Sequence, residues 1–470
     1  MNILKSAYIY LTGSGINILI PFLCILFIAN YIGANEFGLL ALSQSLGAII
    51  SAFASLALPL VYEREFFKRK KISKEILLLN FVILILILGL INFIFITSFF
   101  NFFLDKLNFH NLSVKQILLG YLTVFFGNLI SIFMIYYRNL KKPKQYTLIN
   151  FINLSLTSIF SVFLLILFYR SFELVLISQA LIRGLLILFL VSLFFKKIDF
   201  KFNLKILIES LKFSISLMPK FIAGILGNQI DKLFLAGFSS LDNLGVYSLA
   251  QRLGNSFVIF TSSIENLYLP KISSLIFEKN KKNKFILIGK TITPFFYLST
   301  LICILFGFVF VLFDYIFVSS DYQKLDLLLL IMLPYYFILF FGRQNQLLYM
   351  KKINIINILA FIKIIIHPVL NYYLIIEYGA FGAAIATLIS GLILMSISQF
   401  FCNLYCQIKW ELKKILVISI LFIIFILYLY LSNILNINLE INFLFKFIIL
   451  MFYLAVGYLY NFHLILFKKL

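Results

Sequence analysis

Apolar residues run along this chain in blocks of about twenty to thirty, separated by short polar segments rich in Lys, Asn and Ser. A bilayer hydrocarbon core about 30 Å thick takes roughly 20 residues of helix, and a backbone without internal hydrogen bonds cannot cross it, so each block reads as a transmembrane helix. Fourteen blocks satisfy this, at 8–32, 38–62, 76–103, 114–138, 146–169, 173–195, 213–238, 244–269, 285–313, 325–350, 353–376, 379–406, 412–432 and 440–467. The first is too long, and too poor in small residues where a cleavage site would fall, to be a removed secretion signal. The expected fold class is therefore an all-α polytopic membrane protein. Composition agrees: 63% of the 470 residues are apolar and 12% charged, where soluble domains hold about 45–50% and about 25%.

The net charge of +22 would suggest a polyanionic partner in a soluble protein. Here position decides. With the N-terminus placed in the cytoplasm, 29 Lys and Arg fall in the segments on that side and only four, Lys106, Lys115, Arg170 and Lys324, on the other. Basic residues of short loops stay cytoplasmic, so both termini are expected inside and a nucleic-acid partner is not expected. No loop exceeds about twenty residues, which leaves no room for an extramembrane enzyme domain. A Gly-rich phosphate loop, His-Glu-x-x-His and Gly-x-Ser-x-Gly are all missing from the sequence. Cys24, Cys303, Cys402 and Cys406 lie in apolar segments without metal or disulfide spacing. No enzyme activity, cofactor or metal is expected.

The chain repeats itself. Residues 27–47, FIANYIGANEFGLLALSQSLG, align without a gap on 234–254, FLAGFSSLDNLGVYSLAQRLG, with seven identities in twenty-one, against about two by chance in so skewed a composition. At the same offset of 207, LIRGL at 181–185 meets LISGL at 388–392, while IN-x-IN recurs at 149–153 and 353–357 with an offset of 204. Spans one to six thus duplicate as seven to twelve. Each set has six spans and starts in the cytoplasm, so the repeat is parallel, about an axis along the membrane normal. The expected domains are 1–212 and 213–410, two six-helix bundles with a cavity between them, and 411–470, two added helices of unread role.

The end of the first span and its turn (YIGANEFGLLALSQS), the entry to the seventh at Pro219 (SISLMPKF), GVYSLAQRL in the eighth and LYLPKIS at its end carry a further signal. In these pieces, and over about the first 410 residues, the chain resembles the multidrug/oligosaccharidyl-lipid/polysaccharide exporter superfamily, and within it the Wzx-type polysaccharide flippases. The resemblance implies two six-helix bundles in a V shape. It also implies movement of an undecaprenyl-diphosphate-linked oligosaccharide, such as an O-antigen repeat of lipopolysaccharide, from the cytoplasmic to the outer leaflet of a bacterial inner membrane. Membrane lipids, a polysaccharide polymerase and a chain-length regulator are the other partners it suggests.

Ionisable groups inside the bilayer cost roughly 2.5–3.5 kcal/mol each on insertion scales and usually face water or a partner. The seventh span carries Ser216, Lys220, Gly224, Gly227, Asn228 and Asp231 at steps of three and four. This stripe reads either as the wall of a wet cavity or as a helix seam of small and polar residues. In the eighth span Arg252 lies at a depth similar to Asp231, so Asp231 is a candidate for coupling or simply for an ion pair with Arg252. Glu265 lies nearer the cytoplasm. Lys363, His367 and Asn371 share a face of the eleventh span around Pro368, and Arg183 lies mid-way along the sixth, one turn after Gln179. His367 reads as a proton carrier or, more ordinarily, as a packed hydrogen-bonding residue. Arg343 and Lys446 are expected to snorkel to the interface.

A diphosphate or acidic sugar needs cationic donors in a low-dielectric site. Lys220, Arg252, Lys363 and Arg183, with Asn228, are therefore the candidate substrate-binding residues, and Asp231, His367 and Glu265 the coupling or ion-pair candidates. A cation-coupled drug or metabolite exporter of the same superfamily is the alternative, and a membrane-embedded polymerase a more distant one.

Overall fold

The computed structural model describes residues 3–69, 73–107, 112–195, 203–277, 284–317, 320–322, 325–339, 347, 352–405, 407–435 and 439–462. The described secondary structure is helical. It comprises α1 (Ile3–Ser55), α2 (Leu58–Lys68), α3 (Lys74–Leu107), α4 (Val114–Asn139), α5 (Pro143–Phe151), α6 (Thr157–Leu167), α7 (Phe172–Phe195), α8 (Leu204–Phe238), α9 (Leu241–Phe277), α10 (Lys284–Phe317), α11 (Leu325–Leu339), α12 (Ile353–Tyr405), α13 (Leu412–Ile434) and α14 (Leu439–Leu459). Among the described residues nine helical segments are long and apolar enough to cross a membrane. Two of them, Gly15–Lys68 and Asn354–Tyr405, run for 54 and 52 residues. At 1.5 Å per residue each is far too long for one crossing. Each is broken by a glycine, Gly33 at φ 84° and Gly379 at φ 55°, a left-handed backbone that glycine adopts without steric cost. The pairs 8–32/38–62 and 353–376/379–406 are thus joined by these two breaks. The part of the tenth span at 340–346 and 348–350, with Arg343, lies outside the described residues.

The other joints of the repeat fall where the offset of 207 places them. Gly33 corresponds to position 240, and the chain breaks between α8 and α9 at Ser239 and Ser240. Gly379 corresponds to position 172, and the chain breaks between α6 and α7 before Phe172. Only one member of each pair is glycine; the other joint is a break of two residues at Ser239 and Ser240 and of four at 168–171.

The second span is not one straight helix. It breaks at Leu56 and Ala57, both left-handed at φ 44° and 58°, and restarts with Pro59 in its first turn, where a missing N–H costs nothing. A left-handed non-glycine residue costs about 1–3 kcal/mol. The carbonyl of Leu56 freed by the break accepts the hydroxyl of Ser214 on α8. A second departure follows α5, where Ile152–Leu156 form a π-helical turn before α6.

Packing divides the described chain into two compact units, Met1–Ser248 and Leu249–Leu470. In the first, α4 lies along α1, α3 and α7, and α1 also packs against α8. Close approach is made by glycines: a β-carbon on Gly47 would lie 2.4 Å from the Gly120 backbone, and one on Gly120 2.2 Å from the Ser43 carbonyl oxygen. In the second, α10 packs with α11, α13 and α14. This is where the last two helices dock. Tyr297 of α10 and Tyr453 of α14 stack at 4.8 Å and 7°, and each hydroxyl donates to the other's backbone carbonyl.

The start of α8 is held to α2 by charge. Arg69 donates to Glu65 at 2.5 Å and to Glu209 of α8 at 2.7 Å, and the Arg64 guanidinium lies 3.8 Å above the Phe213 ring. The hydrogen bond from Arg69 holds the Glu209 carboxyl below its ordinary range, against a smaller opposing effect of burial. A group whose pKa is lowered by folding contributes in full above its unfolded value, about 4.3 for Glu, and loses that contribution as pH falls through the lowered value. Hydrogen exchange over residues 204–214 should therefore quicken as pH drops below about 4 relative to a remote helix. Glu209→Gln should abolish that difference and show the faster exchange already at pH 7; a pH response unchanged in the variant would assign it elsewhere.

Candidate functional site

The polar stripe of α8 separates into two lines. Ser216, Gly224 and Asn228, at steps of eight and four, are exposed, and a β-carbon on Gly224 would meet nothing within 4 Å. These three positions are not a packed helix seam. Gly227 and Asp231 form the other line and are buried, Asp231 at 2% exposure. The side chains of Lys220 and Glu265 lie outside the described residues.

Asp231 accepts a hydrogen bond of 2.6 Å from the hydroxyl of Tyr247, which is itself fully buried. Tyr247 is in the first turns of α9, so the bond closes the α8–α9 joint. A short O–H···O bond to a carboxylate is roughly twice as strong as a neutral one. Sequence reading missed Tyr247, because an aromatic residue in an apolar span counts as core and its hydroxyl becomes informative only when the partner helix is placed. Next to this joint Ala34 and Gly38 of α1 meet Leu241 and Gly245 of α9 reciprocally. A β-carbon on Gly38 would lie 2.2 Å from the Leu241 carbonyl oxygen, and one on Gly245 1.9 Å from that of Ala34. Residues 34 and 241, and 38 and 245, are repeat partners. The contact therefore has the form that a local two-fold axis imposes, residue i on j′ and j on i′.

Arg183 of α7 donates from Nη1 to the Thr123 carbonyl oxygen of α4 at 2.8 Å. One turn earlier Gln179 accepts from Gln44 of α1 at 3.0 Å. Arg183 and Asp231 thus both belong to the first unit, Arg183 at the meeting of α1, α4 and α7. Outside these helix centres, Glu36 accepts the N–H of Phe172 at 2.9 Å and so caps α7.

Arg252 and Lys363 belong to the second unit, and both are partly buried. Tyr322, fully covered, is within electrostatic reach of Arg252. His367 is 1% exposed, with Nδ1 at 2.9 Å from the Ser390 hydroxyl, and Asn371 one turn later is fully buried. His367 and Ser390 lie on opposite sides of the Gly379 break, so this hydrogen bond ties the eleventh span to the twelfth, the more ordinary of the two roles that a membrane histidine offers. Among the described residues no three His, Cys, Asp or Glu converge as a metal site.

Lys446 corrects an expectation. It does not snorkel: the residue is 3% exposed. Asn442, one turn before it and so on the same face, accepts from Tyr428 of α13 at 3.2 Å, which turns that face toward α13 rather than toward an interface. Lys446→Met keeps the aliphatic volume and removes the cost of a buried ammonium. The variant should match or exceed the native protein by up to about 2 kcal/mol in thermal unfolding; a large loss would mean that the charge itself holds α14.

A family model described as "Polysaccharide biosynthesis protein" matches residues 3–276, more than half of the chain. The chain belongs to this family. As a polysaccharide biosynthesis family member it has a fold already seen in solved membrane proteins. It is similar to "Lipid II flippase MurJ, inward closed conformation", with a TM-score of 0.70 and 19% identity over 97% of this chain and 99% of that one. It is also similar to a multidrug resistance MATE family transporter of the MOP superfamily. The inward-facing form of that transporter has a TM-score of 0.51 at 16% identity, covering 85% of this chain and 94% of the other. The outward-facing form likewise scores 0.51 at 16% identity, covering 86% and 96%. At such identities the likeness establishes the fold. No curated protein matches by sequence. The family member is thus a multi-pass membrane protein with the fold of flippases and transporters, and the likeness to the lipid II flippase extends over the two C-terminal helices.

Proposed function

We infer that this protein flips an undecaprenyl-diphosphate-linked oligosaccharide, an O-antigen or other polysaccharide repeat, from the cytoplasmic to the outer leaflet of a bacterial inner membrane. Both termini are cytoplasmic and the mechanism is alternating access between the bundles 1–212 and 213–410. The observation that carries the reading is the polysaccharide biosynthesis family match over residues 3–276, on a chain whose spans are joined by short loops. Lys220, Arg252, Lys363 and Arg183 bind the diphosphate or an acidic sugar, with Asn228 on the exposed line of α8. Arginine supplies a planar fork and lysine a point charge to phosphate oxygens. Asp231 is the coupling or pairing group, with His367 and Glu265 as further candidates. A polymerase and a chain-length regulator would act on the flipped product.

Alanine at Lys220, Arg252, Lys363 and Arg183, one at a time, is expected to abolish surface glycan with the protein still present in the membrane. Normal glycan in all four would remove the site assignment. The second reading, a cation-coupled multidrug exporter, draws on the fold shared with the MATE transporter. It calls for acidic cavity residues in both repeats, whereas Asp231 and Glu265 both lie in the second. Deletion separates the two: glycan loss with leaflet-specific labelling confined to the cytoplasmic side supports the flippase, and drug sensitivity with normal glycan supports the exporter.

A further inference from the structure

A groove of about 320 Å³ lies between α1, at Gly13, Ile16 and Asn17, and α5, at Lys144, Thr147 and Phe151. Its closed end is set by a tight contact: a β-carbon on Gly13 would lie 2.7 Å from the Thr147 methyl. Its polar floor is satisfied internally, since Asn17, 4% exposed, accepts from the buried Ser155 hydroxyl at 3.1 Å. Ser155 belongs to the π-helical turn that interrupts the span just beyond Phe151, the sort of interruption that recurs at functional positions. The remaining walls are apolar. The flanking surface is also apolar, with Ile16, Leu19 and Leu23 of α1 and Leu148 of α5 each about half exposed or more. An apolar mouth of this kind suits contact with lipid hydrocarbon.

Its rim is cationic. Lys141, Lys142 and Lys144 are all exposed at the end of α5 where the groove begins. None of the groove's lining residues is acidic. Apolar walls ending at Lys144, with Lys141 and Lys142 exposed just before it in the chain, match an amphiphile with an anionic head and a hydrocarbon chain. The volume takes roughly ten groups of water or methylene size, part of one chain and not a whole sugar. We propose that this groove is a binding site for an anionic phospholipid, its phosphate among Lys141, Lys142 and Lys144 and one acyl chain between Ile16 and Phe151. The site is separate from the substrate residues named above and does not depend on their assignment.

The test places a reporter in the groove. Trp410 is the chain's single tryptophan, so Trp410→Phe with Leu148→Trp gives the full-length protein one indole beside the groove wall. In detergent, brominated phosphatidylglycerol should quench that indole at a mole fraction at least tenfold lower than brominated phosphatidylcholine. Each Lys→Gln change at 141, 142 or 144 should weaken the preference about fivefold, and the triple variant should show none. These three side chains are exposed, so the triple variant should keep the native melting temperature, which is measured alongside. Equal quenching by the two lipids overturns the proposal. So does displacement of the brominated lipid by inorganic phosphate at millimolar concentration, which would mark a free anion site. Displacement by a polyprenyl phosphate at tenfold lower mole fraction than by unlabelled phosphatidylglycerol overturns it too, by assigning the groove to the glycan carrier.

Discussion

Gly38→Ala and Gly245→Ala are each expected to destabilise the protein by about 1–3 kcal/mol, and the double variant by little more than the worse single. The clash in each case is with backbone, the Leu241 and Ala34 carbonyl oxygens at 2.2 and 1.9 Å from the added carbon, so no side chain can rotate away. Relief requires the start of α9 to move from α1. Because the two contacts are reciprocal, the displacement that accommodates one methyl group also makes room for the other, and the second substitution finds the gap already open. Independent sites would instead add. Gly237→Ala is the control, since a β-carbon there meets nothing within 4 Å; it should be neutral or slightly stabilising through the helix preference of alanine. Melting temperatures of the purified variants in detergent decide the matter, at about 2–4 °C per kcal/mol for a unit of this size. Full additivity would show that the two glycines act in separate contacts. Surface glycan in cells adds the functional side: loss in both single variants, with protein still in the membrane, would make this crossing part of the transport cycle.

Much of this architecture is readable in the sequence because bilayer thickness converts apolar run length directly into helices. Gly33 illustrates it: an apolar stretch from residue 8 to 62 is too long for one crossing, and the glycine lies where the reversal has to be. The repeat is readable for a related reason, since offset 207 pairs residues without regard to how the helices dock. What docking decides was hidden. The pairs 34/241 and 38/245 could be aligned, but not recognised as touching crosswise. The break at Leu56 and Ala57 has no local cause beyond Pro59, and its left-handed residues persist in a surrounding that includes the Ser214 hydroxyl bonded to the Leu56 carbonyl. Lys446 was misread because position along a span tells depth and not direction: two turns from the start of α14 it could equally have reached upward or, as it does, into the protein. The α8 stripe was read as a single surface, and at about 100° per residue its positions do share one side of the helix. What differs is the packing alongside, which leaves Ser216, Gly224 and Asn228 open and covers Gly227 and Asp231.

At Asp231 the structure and the proposed function make distinguishable demands. Tyr247→Phe removes the donor of a 2.6 Å bond between two groups at 0% and 2% exposure. It should cost about 1–3 kcal/mol, the price of leaving a buried acceptor short of a partner. Asp231→Leu takes that acceptor from the buried Tyr247 hydroxyl and removes the charge as well, so it should be at least as destabilising. Asp231→Asn retains a carbonyl oxygen for Tyr247 to donate to, and exchanges the other carboxylate oxygen, with the charge, for an amide NH2. Because the Tyr247 bond survives, its melting temperature should lie above those of the other two. If the carboxylate serves the transport cycle, by coupling or by pairing with a cation that the substrate must displace, Asp231→Asn will be stable and present in the membrane yet unable to deliver glycan to the surface, while Tyr247→Phe keeps measurable transport at reduced stability. A structural role alone predicts the reverse order: Asp231→Asn active, and activity across the three variants following their stability. The split between stability and transport in that one substitution separates a carboxylate needed for its charge from one needed for its hydrogen bond.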